Sequence, residues 1–276
     1  MESANDPAER SRHWTQAPGA RYWWHRLPGM DFVPPVYSDL TEEEWEIIRS
    51  WYEETDHSGI IGECAMPLVS LLHGLVLGNR ITRLVQLGTC SGYSALLLGF
   101  MLRRMKAENG LFTLDINPEL CQLTRAWLER AGLTNYVTVA EGDSLDPDSL
   151  AAARKFFPND PELILLDSSH EYAATLRELE LWYPALEIGG LFLLHDVSRF
   201  AAGFDVTKKG GVWRAFSEWR RHHPEAEALC LNGESVTMDL PRPPYKDACG
   251  LGIIHKPGIP APPHHRDAGT AAPRDS

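Results

Sequence analysis

From Arg83 onward the chain alternates between short apolar runs of four or five residues and longer stretches whose apolar positions recur every three or four residues. The short runs are Leu84–Leu87, Leu111–Asp115, Tyr136–Ala140, Leu163–Leu166, Leu191–Leu194, Ala228–Leu231 and Leu251–His255. Each is bounded by turn residues and is too short for a helix, so each predicts a strand. Between them, Ala95–Leu102, the stretch carrying Leu120, Leu123, Trp127 and Leu128, Leu150–Phe157, Glu171–Leu186 and Val212–Arg221 predict helices. Alternating strand and helix imply right-handed crossovers and a parallel sheet covered on both faces. Leu163–Leu166 is wholly apolar, as a central strand of such a sheet must be.

Upstream the period changes. Thr41-Glu42-Glu43-Glu44 is a capping box, and it opens a helix whose Trp45, Ile48 and Tyr52 share a face. A second helix starts near Pro67 and stops at Gly78-Asn79, with His73 read as a packed residue rather than a ligand. Residues 1–40 are rich in Pro, Arg and aromatics, among them Trp14, Tyr22, Trp23, Trp24 and Phe32, and show no period. They predict either a disordered leader or an extension that drapes over the main domain as part of a lid, and the tryptophans favour the second. The division expected is 1–66 as extension and lid, 67–257 as the main domain, and 258–276, rich in Pro and Ala, as a flexible tail.

Composition narrows the function. A chain of 276 residues with a formal net charge of −12 lacks the clustered Lys and Arg of a phosphate-tracking surface, which argues against nucleic acid. Five cysteines, Cys64, Cys90, Cys121, Cys230 and Cys249, with no C-x-x-C spacing, suggest neither a disulfide framework nor a zinc site, and point to a reduced, cytoplasmic protein. No apolar run approaches a membrane span. An acidic enzyme of small molecules is the expectation.

Candidate chemistry gathers at the predicted strand ends. The first strand breaks into Gly88-Thr89-Cys90-Ser91-Gly92 before a helix resumes, a turn that lets a ligand approach the main chain and offers N–H groups at a helix start. Asp115 ends the second strand about 20 residues on, where a carboxylate can accept both hydroxyls of a ribose. Asp143-Ser144 follows the third strand, Asp167 the fourth, and His195-Asp196 closes the fifth. Arg242-Pro243-Pro244-Tyr245 reads as a loop between the last two strands.

Leu87-Gly88-Thr89-Cys90-Ser91-Gly92-Tyr93-Ser94 resembles motif I of the class I S-adenosylmethionine-dependent methyltransferases, and is most similar to small-molecule O-methyltransferases of the catechol type. Asp167-Ser168-Ser169-His170-Glu171-Tyr172, then Gly189-Gly190 and His195-Asp196, resembles the branch whose fourth strand ends Asp-Gly-Asp-His-x-Tyr and whose fifth ends His-Asp. The likeness runs from about Gln86 to Glu218. It implies a Rossmann-like α/β fold with a mostly parallel seven-stranded sheet, S-adenosylmethionine as cofactor, and methylation of a hydroxyl on a small molecule, with a secondary metabolite named first. Relatives are often dimers or larger, which implies a homo-oligomer.

Carried over by position, the resemblance assigns cofactor contacts to Gln86, Gly88, Thr89, Cys90, Ser91, Gly92, Tyr93, Ser94, Asp115, Ile116, Gly142, Asp143, Ser144, Asp167 and His170. Asp143-Ser144 would hold the adenine amino group. Gln86 stands where the family has an acidic residue, and Ser168-Ser169 replaces Gly-Asp, whose aspartate is a proposed general base in some relatives. The base therefore falls to His170 or His195, with Asp196 beside them, since histidine titrates near neutrality. Alternatively Asp167, His195 and Asp196 hold a divalent cation such as magnesium that lowers the pKa of the acceptor hydroxyl; catechol-type relatives use Asp, Asp and Asn, and Val197 stands in place of that Asn. Trp14, Trp23, Trp24 and the loop from Phe200 to Gly211 are candidates for a substrate lid. Two rivals stay open: a nicotinamide-dependent oxidoreductase, disfavoured by the missing third glycine of G-x-G-x-x-G, and a protein that binds S-adenosylmethionine without transferring its methyl group.

Overall fold

The computed structural model describes residues 32–60, 62–238 and 244–258. Trp14, Tyr22, Trp23, Trp24, Arg242-Pro243 and the segment after Gly258 lie outside the described residues. The predicted alternation builds one sheet of seven strands: β1 Leu84–Leu87, β2 Leu111–Asp115, β3 Val137–Glu141, β4 Leu163–Leu166, β5 Leu191–His195, β6 Glu227–Leu231 and β7 Leu251–His255. Their spatial order is β3-β2-β1-β4-β5-β7-β6. The first five run parallel, and β7 is antiparallel to both of its neighbours. β1 is the strand on which the chain reverses direction across the sheet, with Leu84 in register with Leu111 on one side and Leu163 on the other.

The period of two along the strands sorts their side chains into two cores. Leu84, Leu111, Leu163, Leu165 and Leu193 face one layer, while Val85, Leu87, Phe112, Leu114, Ile164, Leu166, Phe192 and Leu194 face the other. The first layer contains α1 Pro35–Ser38, α2 Glu42–Ser58, α3 Met66–Asn79, α4 Tyr93–Met105 and α5 Pro118–Arg130. The second contains α6 Pro147–Phe156, α7 Tyr172–Trp182 and α8 Gly211–His222. Trp51 and Trp127 fill the first core, Trp182 and Trp219 the second, all fully buried. Residues Tyr93 to Leu102 of α4 are buried all round, because α2 and α3 cover the side that the sheet does not.

Helix starts follow local chemistry. Asn117 and Asp146 cap α5 and α6, each followed by a proline whose missing N–H costs nothing there. Thr41 and Glu44 form the predicted capping box: the Glu44 amide donates to Thr41 Oγ1 at 3.3 Å and the Thr41 amide to Glu44 Oε2 at 2.9 Å. One element differs from expectation. The helix predicted over 171–186 ends at Trp182 and tightens into a 3₁₀ turn over Tyr183–Ala185, because Pro184 supplies no amide to continue the ladder.

The upstream helices are tied to the sheet by polar groups as well as by packing. Buried Glu44 accepts from Arg103 at 2.6 Å and Arg104 at 2.5 Å, both near the end of α4. Tyr37 and Tyr93 share a hydrogen bond of 2.6 Å between their hydroxyls. Trp51 donates its indole N–H to the carbonyl of Ser91, inside the glycine turn, at 2.8 Å. Residues of α2 thus hold the backbone that follows β1. Replacing Trp51 by Phe removes that donor and strands a buried carbonyl, which costs about 1–3 kcal/mol; urea unfolding checks this, and an unchanged midpoint at unchanged slope contradicts it.

Candidate active site

The turn after β1 is shaped by a steric limit. A Cβ on Gly88 would lie 2.1 Å from the carbonyl oxygen of Asp167, and the residue holds φ +94°, so only glycine lets the ends of β1 and β4 meet. Gly92 at φ +87° faces Thr124 in the same way. Between them Cys90 takes φ +47°. Asp115, at the end of β2, closes the turn: its Oδ2 accepts from the amides of Thr89 at 3.1 Å and Cys90 at 2.8 Å, and its Oδ1 from Asn117 at 2.9 Å. The first amides of this turn are therefore already paired with a carboxylate. A pyrophosphate arriving there would meet the charge of Asp115 rather than free N–H groups.

Gln86 lies beneath the turn. Its Nε2 donates at 2.7 Å to the Gly88 carbonyl and at 2.7 Å to Ser94 Oγ. Among the described residues its Oε1 is buried without a partner, as is Ser91 Oγ. Thr89 and Thr113 join through their hydroxyls at 2.5 Å. These groups, with Gly92 and Tyr93, brace the turn from below.

Above it opens a cleft of about 450 Å³, lined by Gly88, Cys90, Leu114, Asp115, Ile116, Leu120, Gly142, Asp143, Ser144, Leu145, Asp167, Ser168, Ser169, Glu171, Ala174 and Glu178. The ends of four successive parallel strands thus face one space. Of the residues expected at a cofactor, Gly88, Cys90, Asp115, Ile116, Gly142, Asp143, Ser144 and Asp167 line it. Gln86, Thr89, Ser91, Gly92, Tyr93, Ser94 and His170 do not.

Glu178 is the wall residue that motif reading missed. It projects from α7 on the same stripe as Thr175, Leu179 and Trp182, and is fully buried. A lone acid on an otherwise core-facing helical stripe was the available signal. Ser144 and Ser168 both donate to its Oε1 at 2.5 Å, while Oε2 has no partner among the described residues. Burial pushes its pKa above the usual carboxylate range, against the pull of the two serine hydroxyls.

Beyond Asp167 lies a second cluster, built by the ends of β4 and β5 and by the segment before β7. His170 Nε2 is 3.0 Å from Asp196 Oδ2. His195 Nε2 is 3.0 Å from Asp247 Oδ2, and its Nδ1 lies 3.4 Å from Asp167 and 3.7 Å from Asp196. Burial opposes charge on His195, but Asp196, Asp167 and Asp247 outweigh it and raise its pKa well above the ordinary value. His170 is raised too, first by its hydrogen bond to Asp196. Burial pushes Asp196 up, but His195 and His170 more than offset it and hold its pKa low. Cys64 reaches Asp167 Oδ2 at 3.3 Å.

Among the described residues, two sets of donor atoms lie close enough for an ion: Asp167, His170 and Asp196, and separately His195, Asp247 and Cys249. His170 joins Asp167 and Asp196 in the first set, while His195, expected beside them, keeps its Nδ1 near both aspartates and places its Nε2 against Asp247. Nothing in the strand pattern announced Asp247, which comes from a turn preceding β7. Phe204 packs beside His170, with ring centres 5.7 Å apart, and Asp205 gathers the loop from Phe200 by accepting from the amides of Thr207, Lys209 and Gly211.

The pKa directions fix a pH profile for stability. His195 is raised in the fold, so its contribution is complete below about 6.5, the free histidine value, and is lost as pH climbs through the raised value. Asp196 is lowered, so its contribution is present above the free aspartate value and is lost on acidification. The unfolding free energy therefore declines on the alkaline side of 6.5, and Asp247→Asn flattens that decline. Denaturant titrations across pH measure it; identical slopes in wild type and variant contradict it.

Residues 85–197 match the family described as a methyltransferase domain. Among solved structures, the chain is similar to an O-methyltransferase from Bacillus cereus in complex with SAH, at 18% identity and TM-score 0.61 over 76% of this chain and 90% of that one. It is similar to the O-methyltransferase TomG from Streptomyces achromogenes, involved in tomaymycin synthesis and solved with SAM, at 17% identity and TM-score 0.57 over 86% and 100%. It also resembles the SAH-bound methyltransferase PaMTH1 of Podospora anserina, at 17% identity and TM-score 0.56 over 78% and 88%. At these identities the likeness to solved structures is one of fold.

Proposed function

We propose that this chain, a class I methyltransferase by its fold and by the methyltransferase domain over residues 85–197, transfers a methyl group from S-adenosylmethionine to a hydroxyl oxygen of a small molecule. The observation that carries the reading is the convergence of Gly88, Asp115, Asp143 and Asp167, from four strand ends, on one cleft that borders the His170–Asp196 pair. The cleft has the size of a small-molecule site. Its acidic groups suit an adenosyl sulfonium: the carboxylate of Asp115 to accept from ribose hydroxyls, Asp143 to accept from an exocyclic amine, and the Asp167, Asp196 and Asp247 cluster, only partly neutralised by His195, to face a positive charge. When bound, S-adenosylmethionine supplies an electrophilic methyl group.

The chain's own task is to bind the acceptor and remove its proton. Asp196 orients His170 through Nε2, leaving Nδ1 to accept a proton from an acceptor hydroxyl as general base. His195, held between carboxylates, keeps its own proton and steadies their charge. Phe204, 42% exposed beside His170, offers an apolar surface to an acceptor ring. A secondary metabolite is the acceptor class this favours, in line with the synthesis named for TomG. Among the described residues no helix is long and apolar enough to cross a membrane.

A second reading rests on the Asp167, His170 and Asp196 donor set, whose two carboxylates and imidazole suit a divalent cation. Such a cation would lower the pKa of the acceptor hydroxyl and make His170 a ligand instead of a base. Prolonged treatment with EDTA separates the two: activity that survives supports the base, and activity lost and restored by magnesium supports the ion.

Two outcomes test the main reading. With labelled S-adenosylmethionine and a panel of phenols and hydroxylated metabolites, label appears in an acceptor, and His170→Ala lowers kcat by about 10²–10⁴-fold; the absence of any labelled product despite tight cofactor binding contradicts it. Because Asp196 raises the pKa of His170, the neutral base is lost as pH falls through a value above about 6.5. The rising limb of kcat/KM therefore lies on the alkaline side of that value and moves to lower pH in Asp196→Asn; a limb that stays in place in the variant is the contrary result.

A further inference from the structure

A second donor set stands apart from the pair assigned to proton removal. His195 closes β5, and Asp247 and Cys249 lie in the turn that leads into β7, whose Leu251 is in register with His195. One ligand atom from each, an imidazole nitrogen, a carboxylate oxygen and a thiol sulfur, lies within 4.8 Å of the other two. None of the three belongs to the Asp167, His170 and Asp196 set. Bonds of about 2.0 Å to nitrogen and oxygen and about 2.3 Å to sulfur span such a triangle. A hydrogen bond between His195 and Asp247 accounts for two members and leaves the thiol unexplained.

The surroundings are those of ligands held in place for an ion. His195 presents Nε2 to Asp247 Oδ2 at 3.0 Å, while its Nδ1 faces Asp167 Oδ1 at 3.4 Å. A carboxylate on the second ring nitrogen is what orients a metal-binding imidazole. Asp247 Oδ1 accepts from the Cys249 amide at 2.9 Å, which leaves Oδ2 toward the histidine. Asn232 clamps the same turn, its Nδ2 donating at 2.7 Å to the carbonyls of Tyr245 and Asp247. Gly250, at φ +79°, lets the turn cross close over the end of β5, since a Cβ there would lie 3.1 Å from the Val197 carbonyl carbon. Charge agrees with geometry. Among the described residues no Lys or Arg forms a salt bridge with Asp167, Asp196 or Asp247, so three carboxylates share two imidazoles. Asp196 and Asp247 are buried, and an excess of negative charge there is offset by a dication.

We infer that His195 Nε2, Asp247 Oδ2 and Cys249 Sγ bind one zinc-class dication, with a fourth position left to water. Sulfur beside imidazole and carboxylate favours zinc over magnesium, which seeks oxygen ligands in an octahedral array. Binding expels the thiol proton and the proton that joins His195 to Asp247. The ion fastens the end of β5 to the turn before β7.

Cobalt(II), added to the full chain after its metals have been stripped with a chelator, is the probe. In the wild type a sulfur-to-cobalt charge-transfer band grows to saturation at one ion per chain, zinc bleaches it, and a large excess of magnesium does not. Cys249→Ser abolishes the band and weakens zinc binding, read by competition with a chromophoric chelator, at least about tenfold. Asp247→Asn weakens zinc binding in the same direction but keeps the band. A wild type that gives no charge-transfer band overturns the inference without any variant. So does a band that survives in Cys249→Ser, or one that disappears in a folded Cys64→Ser, which would put the ion beside Asp167. These readouts involve no S-adenosylmethionine and stand whether or not a methyl group is transferred.

Discussion

Two parallel strands end against each other at Gly88. The absence of a side chain there lets the Asp167 carbonyl approach to a distance that any Cβ would block. That approach sets the spacing of β1 and β4 at the rim, and the chain reverses its direction across the sheet at the same place. A crevice opens where neighbouring loops part to opposite sides. Asp115 then spends one oxygen on the amides of Thr89 and Cys90, which gives the turn a fixed shape before any ligand arrives. The site is thus organised by backbone packing and by one carboxylate.

The upstream helices extend this logic. Trp51 pins the Ser91 carbonyl, Tyr37 pins Tyr93, and Glu44 gathers Arg103 and Arg104 at the far end of α4. The helix that begins at the glycine turn is therefore gripped near both ends by residues 37 to 51. Because side chains of these helices share a core with the sheet, changes in them reach the turn through packed atoms rather than through a flexible linker.

Much of the fold was legible because strand and helix periods differ and each segment is bounded by its own stop signals. Leu163–Leu166 and Leu251–His255 were placed as observed, and the capping box at Thr41 formed as written. The break of α7 at Trp182 was missed because a helical period continues through Leu186 while Pro184 ends the ladder. At the site, residues at strand ends were readable since strand ends share a rim. What could not be read were partners supplied by tertiary packing. Asp247 meets His195 from a turn far along the chain, and Glu178 meets Ser144 and Ser168 across two loops. His195 stays near Asp167 and Asp196 as its place in the chain suggests, and Asp247 adds a partner on its other ring nitrogen that the chain did not announce.

The central claim is that the crevice over the glycine turn accommodates an adenosyl ligand whose ribose is held by Asp115. Isothermal titration of the purified chain with S-adenosylhomocysteine, beside Asp115→Ala, tests it most directly. The account predicts saturable binding of one ligand per chain, weakened at least about tenfold in the variant. A wild type that gives no binding heat, or a folded Asp115→Ala that binds as tightly as the wild type, would contradict it.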